Sequence, residues 1–303
     1  MNEQFADVGG GITLCYETFG DPADPTVLLI MGLGTQMVGW HEDFCEDLAG
    51  RGFHVIRYDN RDIGRSTHLD DAPAPTIGQL LRRSKRAASY RLSDMADDAA
   101  GLLATLGIAE AHVVGASMGG MIAQTLAARY PERVRSLTSI MSNTGNRLNG
   151  QPSLRVYPIF LRRPPADRER FIEQTLQLYR AIGSPGFDRD EDDLRRIVGL
   201  SFDRGQDAAG ASRQLAAIIA SGNRTAELRR ISAPTLVIHG DADRLVAPSG
   251  GRATAKAIPG ARLVTIEGMG HDLPRGAWPR ILDAVERHAR GAEQAAGSAA
   301  RAA

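Results

Sequence analysis

The runs "TVLLIMG" (residues 26–32), "AHVVGAS" (111–117) and "PTLVIHG" (234–240) place apolar residues at successive positions, with no regular polar alternation. A strand with one face in water alternates, whereas a strand apolar on both faces must be covered on both. Amphipathic stretches of helical length lie between such runs, at about 41–49, 93–105 and 118–130. Ser93 is the expected N-cap of the second stretch and Gly107 its stop, and Pro131 closes the third. Strand and helix in alternation predict a mostly parallel sheet with helices on both faces. "ITLCYETFG" (12–20) does alternate and is expected to be a half-buried antiparallel strand after a glycine turn.

The rhythm breaks at Asn143. Residues 144–230 are rich in Arg, Asp, Gly and Pro and show helical patches (168–181, 191–202, 211–221) without a convincing strand. Strands resume with "PTLVIHG" and "ARLVTIEG" (261–268), and a last helix is expected over 279–288. The predicted organisation is a core of residues 1–143 and 231–290, a helical cap at 144–230, and a disordered low-complexity tail at 291–303. Basic and acidic side chains balance at 36 each and aromatics are scarce, which speaks against nucleic acid as a partner. The longest apolar run, 27–33, is too short for a transmembrane segment. No signal-peptide pattern opens the chain, and Cys15 and Cys45 form no metal-binding motif. A cytoplasmic protein with two free thiols is expected, and the letters set no oligomeric state.

Ligands gather at the carboxyl ends of parallel strands, so the residues just after each strand are the candidates for chemistry. After "HVV" comes Gly115-Ala116-Ser117-Met118-Gly119-Gly120, a G-x-S-x-G pattern between strand and helix. The glycines leave room for a sharp turn that exposes the serine, and the helix beginning at Met118 turns its amides toward an anion. A serine hydroxyl needs an adjacent base, and the base a carboxylate. Of seven histidines, His54 and His112 open strands at the far end of the sheet, His41 and His68 lie upstream, His288 is inside the last helix, and His239 ends a strand where the acid is expected. His271, in the glycine-rich loop "EGMGHDLP" after the last strand, can reach back over the strand ends and is the expected base. In "HGDADRLVAP" Asp243 sits further out and is the expected acid, while Asp241 is expected to cap the turn. Ser142-Asn143, after the preceding strand, offers no carboxylate. A metal site at His239, Asp241 and Asp243 lacks any accompanying ligand cluster, and neither a metal nor an organic cofactor is expected.

The chain order Ser117, Asp243, His271 resembles that of the α/β-hydrolases. "YDNRDIGRS" (58–66) is similar to that family's D-x-R-G-x-G-x-S loop, with Asp62 where a glycine is usual, and "PTLVIHGDADRLVAP" and "GMGH" resemble its acid and histidine segments. With "FGDPADPTVLLIMGLG" and "GFHVIRYDNRDIGRST", the chain most resembles the serine carboxylesterases of the aclacinomycin methylesterase type, up to about residue 290. The resemblance implies an α/β-hydrolase fold with a lid, and two-step hydrolysis of a small-molecule ester through an acyl-enzyme. It also implies an oxyanion hole from the backbone amides of Leu33 and Met118, with Gly32 and Gly34 admitting the carbonyl oxygen. Met31-Gly32 stands where many relatives have His-Gly, which bears on substrate preference rather than mechanism.

Met31, Met37, Met118, Met269 and Trp40 recur beside these points and suit either an apolar substrate wall or ordinary core packing. Asp59 and Arg61 are expected to brace their loop, and Arg155, Arg162, Arg163, Arg168 and Arg170 to form a solvated face. A serine at 117 sets aside the dehalogenases and epoxide hydrolases of this fold, which use an aspartate nucleophile. Lipases, thioesterases, carbon–carbon hydrolases and cofactor-free perhydrolases share the constellation. A hydrolase-like binding protein is the alternative outside catalysis.

Overall fold

In strand β3 (Thr26–Ile30) Val27 and Leu29 point to one side of the sheet and Leu28 and Ile30 to the other, and all four are fully buried. That two-sided burial is the physical reason for the unbroken apolar run. The computed structural model describes residues 2–156, 158 and 165–302. It shows β3 within one eight-stranded sheet, with β1 (Gln4–Asp7), β2 (Thr13–Phe19), β4 (His54–Tyr58), β5 (Ala111–Ala116), β6 (Val134–Ile140), β7 (Thr235–Gly240) and β8 (Arg262–Ile266). The order is β1-β2-β4-β3-β5-β6-β7-β8. β2 runs antiparallel to β1 and β4, and the remaining pairings are parallel.

From β3 the chain passes to β4 on one side and later to β5 on the other, so the carboxyl ends of β3 and β5 flank the crevice where the winding reverses. Helices α1 (Glu42–Gly50) and α10 (Trp278–Ala302) cover one face, placing Phe44, Leu48, Trp278 and Ile281 against Val27 and Leu29. Helices α3 (Leu92–Thr105) and α4 (Met118–Arg129) cover the other, placing Leu102, Leu103, Ile122 and Leu126 against Leu28 and Ile30. A short α2 (Ile77–Leu81) lies before α3, and α9 (Ser249–Ala257) joins β7 to β8. Between β6 and β7 come α5 (Arg168–Ile182), α6 (Glu191–Asp203), α7 (Ala208–Ser221) and α8 (Thr225–Leu228), an insert without a strand among the described residues.

Two boundaries differ from the sequence expectation. Helix α3 starts at Leu92, so Ser93 is inside its first turn; the Arg91 amide instead donates to Asp94 Oδ2 at 2.7 Å. Of the tail 291–303, expected to be disordered, the described residues 291–302 continue α10 as far as Ala302. Alanine is the best helix former, and Ala289 and Ala292 are buried while Glu293 lies 3.3 Å from Arg135. Gly107, with φ +70°, ends α3 as expected.

Buried charge fastens the insert to the loop after β4. Asp59 accepts the Met37 amide at 2.7 Å and pairs with Arg204, just past α6, at 2.7 Å. Asp62, fully buried and in the left-handed region at φ +66°, takes a two-pronged contact from Arg213 of α7 at 2.7 and 2.9 Å. The same guanidinium reaches Asp207 at 3.2 Å, and His68 joins Asp207 at 2.9 Å, so an arginine already supplies the cation among these acids. Arg61 pairs with Asp98 of α3, bracing the loop as expected.

Replacing Arg213 by Met leaves the Asp62 carboxylate buried and unpaired, and should lower stability by about 3–5 kcal/mol in a denaturant titration. The Asp62→Gly/Arg213→Met double variant removes both charges and the positive-φ side chain, and is expected to recover most of that loss.

Candidate active site

β5 delivers its chain into a turn that has no space for side chains. A Cβ on Gly119 would lie 2.0 Å from the Ile30 carbonyl oxygen, and one on Gly115 would lie 2.2 Å from that of Gly119. Between them Ser117 adopts φ +55° and ψ −117°, a strained conformation for a residue with a Cβ. Its amide is held by the Ile140 carbonyl of β6 at 2.9 Å, which leaves the hydroxyl as its free handle. The loop after β3 passes over it, since a Cβ on Gly32 would meet the Ser117 Cβ at 3.1 Å.

His271 Nε2 lies 2.9 Å from Ser117 Oγ, and its Nδ1 lies 2.7 Å from Asp243 Oδ2. The other carboxylate oxygen, Oδ1, accepts the amides of Leu245 and Val246 at 2.9 and 2.8 Å. Burial opposes the charge on Asp243, but the charge of His271 and hydrogen bonds from His239 and His271 outweigh it and hold its pKa at about 2. Asp241 accepts the Gly268 amide at 2.8 Å and so ties the loop after β7 to the histidine loop. The sequence's three residues therefore converge, and Asp241 does not face the histidine.

The alpha/beta hydrolase fold family matches residues 25–274. Rhodomycin D methylesterase DauP of Streptomyces sp. (strain C5) is 33% identical, with 93% of this chain and 96% of that one covered. The chain belongs to the α/β-hydrolase family. Rhodomycin D methylesterase DnrP of Streptomyces peucetius is 32% identical over the same shares of the two chains. Among solved structures, the 2-hydroxy-6-oxo-6-phenylhexa-2,4-dienoate hydrolase of Rhodococcus sp. strain RHA1 shares the fold, with a TM-score of 0.73 at 22% identity over 95% of this chain and 98% of that one.

In this α/β-hydrolase the backbone candidates for an oxyanion site flank the serine. Met118 is the first residue of α4, and the opening amides of a helix have no acceptor within it. Leu33 directly follows Gly32 on the overlying loop, whose course is set by Asn60 Nδ2 donating to the Met31 carbonyl at 3.0 Å. Gly34, expected to admit the substrate carbonyl, also gives its amide to Gln214 of α7 at 2.9 Å and so fastens the insert. The proposed substrate wall is also largely core. Trp40 is fully buried and packs on Phe44 with ring centroids 5.5 Å apart, and Met37 packs with Cys15 and Val38. Met31 and Met269 belong to the face covered by α1 and α10, and Met118 to the face covered by α3 and α4. Of the insert arginines, Arg168 pairs with Asp203, and Arg162 and Arg163 lie outside the described residues.

Two sets of side chains escaped the sequence reading. His239 Nε2 lies 2.8 Å from the Val246 carbonyl and 3.4 Å from Asp243 Oδ2, the same oxygen that His271 contacts, and so braces the acid. From the insert, residues 182–186 run along the histidine loop: the Ile182 carbonyl accepts the His271 amide at 2.8 Å, and the Gly186 amide donates to Gly268 at 2.9 Å. Ser184 Oγ accepts the Gly270 amide at 2.8 Å and donates to the half-buried carboxylate of Asp272. The one advance signal was the density of glycine, since a Cβ on Gly270 would lie 2.3 Å from the Gly183 carbonyl oxygen.

Ser184→Ala should lower kcat by about 10- to 100-fold through displacement of the base, with KM for a small ester little changed, while Ser184→Thr retains a hydroxyl and restores part of the rate. The depressed Asp243 pKa also sets a stability window. The carboxylate is ionised in the folded chain down to about pH 2 but titrates near 3.8 when exposed. It therefore contributes about 2 kcal/mol above pH 4, lost as pH falls through that interval. Asp243→Asn should remove this acid limb from a stability–pH profile and reduce kcat by about 10⁴-fold.

Proposed function

We propose that this hydrolase cleaves the methyl ester of a bulky polycyclic acid, with Ser117 as nucleophile, His271 as general base and acid, and Asp243 as its orienting carboxylate. The observation that carries the mechanism is the unbroken line from Ser117 Oγ through the imidazole to Asp243, at 2.9 and 2.7 Å. His271 Nε2 takes the hydroxyl proton as Oγ attacks the ester carbonyl carbon, and the carbonyl oxygen becomes a tetrahedral oxyanion facing the Met118 and Leu33 amides. Collapse breaks the carbon–oxygen bond to the leaving alcohol, which receives the proton from Nε2. Water then enters, gives its proton to the same nitrogen and attacks the acyl-enzyme; the free acid leaves and Ser117 regains its proton. Asp243 keeps its charge throughout, stabilising the imidazolium and fixing the tautomer that presents a bare Nε2.

The substrate class rests on the two methylesterases, whose similarity to this chain extends through the insert that roofs the strand ends. A methyl leaving group needs little room on the alcohol side, so selectivity falls on the acid side. Cys15 and Cys45 are buried free thiols, which fits a cytoplasmic setting. Among the described residues no helix is long and apolar enough to cross a membrane.

Purified chain should release methanol from methyl esters of polycyclic aromatic acids and slow markedly as the alcohol lengthens. Ser117→Ala should bring turnover to background, and a fluorophosphonate should label Ser117 alone. Labelling elsewhere, or a Ser117→Ala variant with native rates, would refute the mechanism. A preference for longer alcohols would refute the methyl-ester reading alone.

A further inference from the structure

Several exposed guanidinium groups of the insert and of the turn before the last helix are paired. Arg168 meets Asp203, Arg180 meets Glu173 and Glu191, Arg195 meets Glu169 and Glu173, and Arg275 meets Asp43 and Asp193. The strap formed by α2 and the turn after it has no acid of its own to pair with. From residue 72 to 93 the sequence holds no Asp or Glu, in a chain whose charges balance overall. Arg82, Arg83, Lys85 and Arg86 are all exposed, and among the described residues no carboxylate lies within ion-pair distance of any of them.

The same strap exposes apolar side chains. Ile77 and Leu81, four residues apart and hence on one face of α2, are 48% and 65% exposed. The helix is nonetheless well formed: Thr76 and Gln79 close a reciprocal capping box at its start. Gly222, at the end of α7, lies between Lys85 and Gly145, and Leu148 three residues further on is 87% exposed. The inner side of the strap rests on α7, whose Gln214 holds the loop over Ser117. The face is therefore one helix away from the reactive serine.

We propose that this strap is a peripheral docking surface for an anionic lipid bilayer. Ile77 and Leu81 enter the headgroup region, and the four cations meet lipid phosphates. Charge complementarity selects the partner's sign. The apolar tips select a lipid surface over an acidic protein, because two side chains on a protruding five-residue helix can sink into headgroups but offer no broad flat area to a folded partner. Such docking would place the entrance of the site beside a reservoir of apolar esters.

Co-sedimentation of the full chain with phosphatidylglycerol–phosphatidylcholine vesicles, compared with pure phosphatidylcholine vesicles, tests this. Binding is expected to the anionic vesicles at low salt and to weaken as salt rises. Each of Arg82→Gln, Arg83→Gln, Lys85→Gln and Arg86→Gln should lower the partition coefficient about fivefold, the equivalent of about 1 kcal/mol per charge at an anionic surface. Ile77→Ser/Leu81→Ser should lower it further with the charges intact. Hydrolysis of a soluble p-nitrophenyl ester by these variants should match the native chain and shows that they are folded. Equal binding to neutral and anionic vesicles, or a quadruple Gln variant that partitions like the native chain, would overturn the proposal. So would retention by polyglutamate without vesicle binding, which would point to an acidic protein. The readout needs no turnover, so the Ser117→Ala chain serves equally, and failure of the esterase reading leaves it standing.

Discussion

The packing of bare backbone at the end of β5 is the contact on which the rest of this molecule depends. Because Gly119 lacks a side chain, the Ile30 carbonyl of β3 can sit against the first turn of α4, and because Gly115 lacks one, that turn can fold back on its own strand. Strand, turn and helix are thereby wedged beside β3, and the strain at Ser117 is sustained by packing on every side. A methyl group at either glycine would separate the serine from the loop that passes over it. The geometry of the nucleophile is thus a property of the sheet, whose two faces are filled by the opposite parities of β3.

A second layer of order comes from charges kept out of water. Asp59 and Asp62, three residues apart in one loop, each receive an arginine from the insert. Such pairs add little net stability over apolar packing, but each member is costly to leave alone. They therefore act as register marks: any docking of the insert that separates a pair strands two buried charges. Gln214 adds a neutral version of the same constraint, accepting the Gly34 amide and donating to the Arg61 carbonyl.

What could be read from the letters was whatever depends on local pattern. Two-sided apolar runs named the parallel strands, and the residue after each strand named Ser117, Asp243 and His271. The four-residue β1 was missed because so short an edge strand carries no period to detect. The short α2 was missed although Thr76 and Gln79 carry a legible start signal. For Trp40 and Met37 the sequence does not distinguish wall from core, because apolarity is common to both and only three-dimensional packing separates them. Asp62 shows the reverse. A carboxylate at a position where glycine is usual was visible at once, yet its meaning lay 151 residues away, in Arg213.

The run of contacts between residues 182–186 and the histidine loop has a consequence for anyone who would re-engineer this enzyme. Substrate choice in proteins of this architecture invites module exchange, with one roof swapped for another over a constant sheet. Here the roof and the general base share a seam of backbone bonds, closed by Ser184. A transplanted module would have to bring its own matching edge, with small residues opposite Gly268 and Gly270 and a hydroxyl where Ser184 stands. Selectivity and proton transfer are in that sense inherited together.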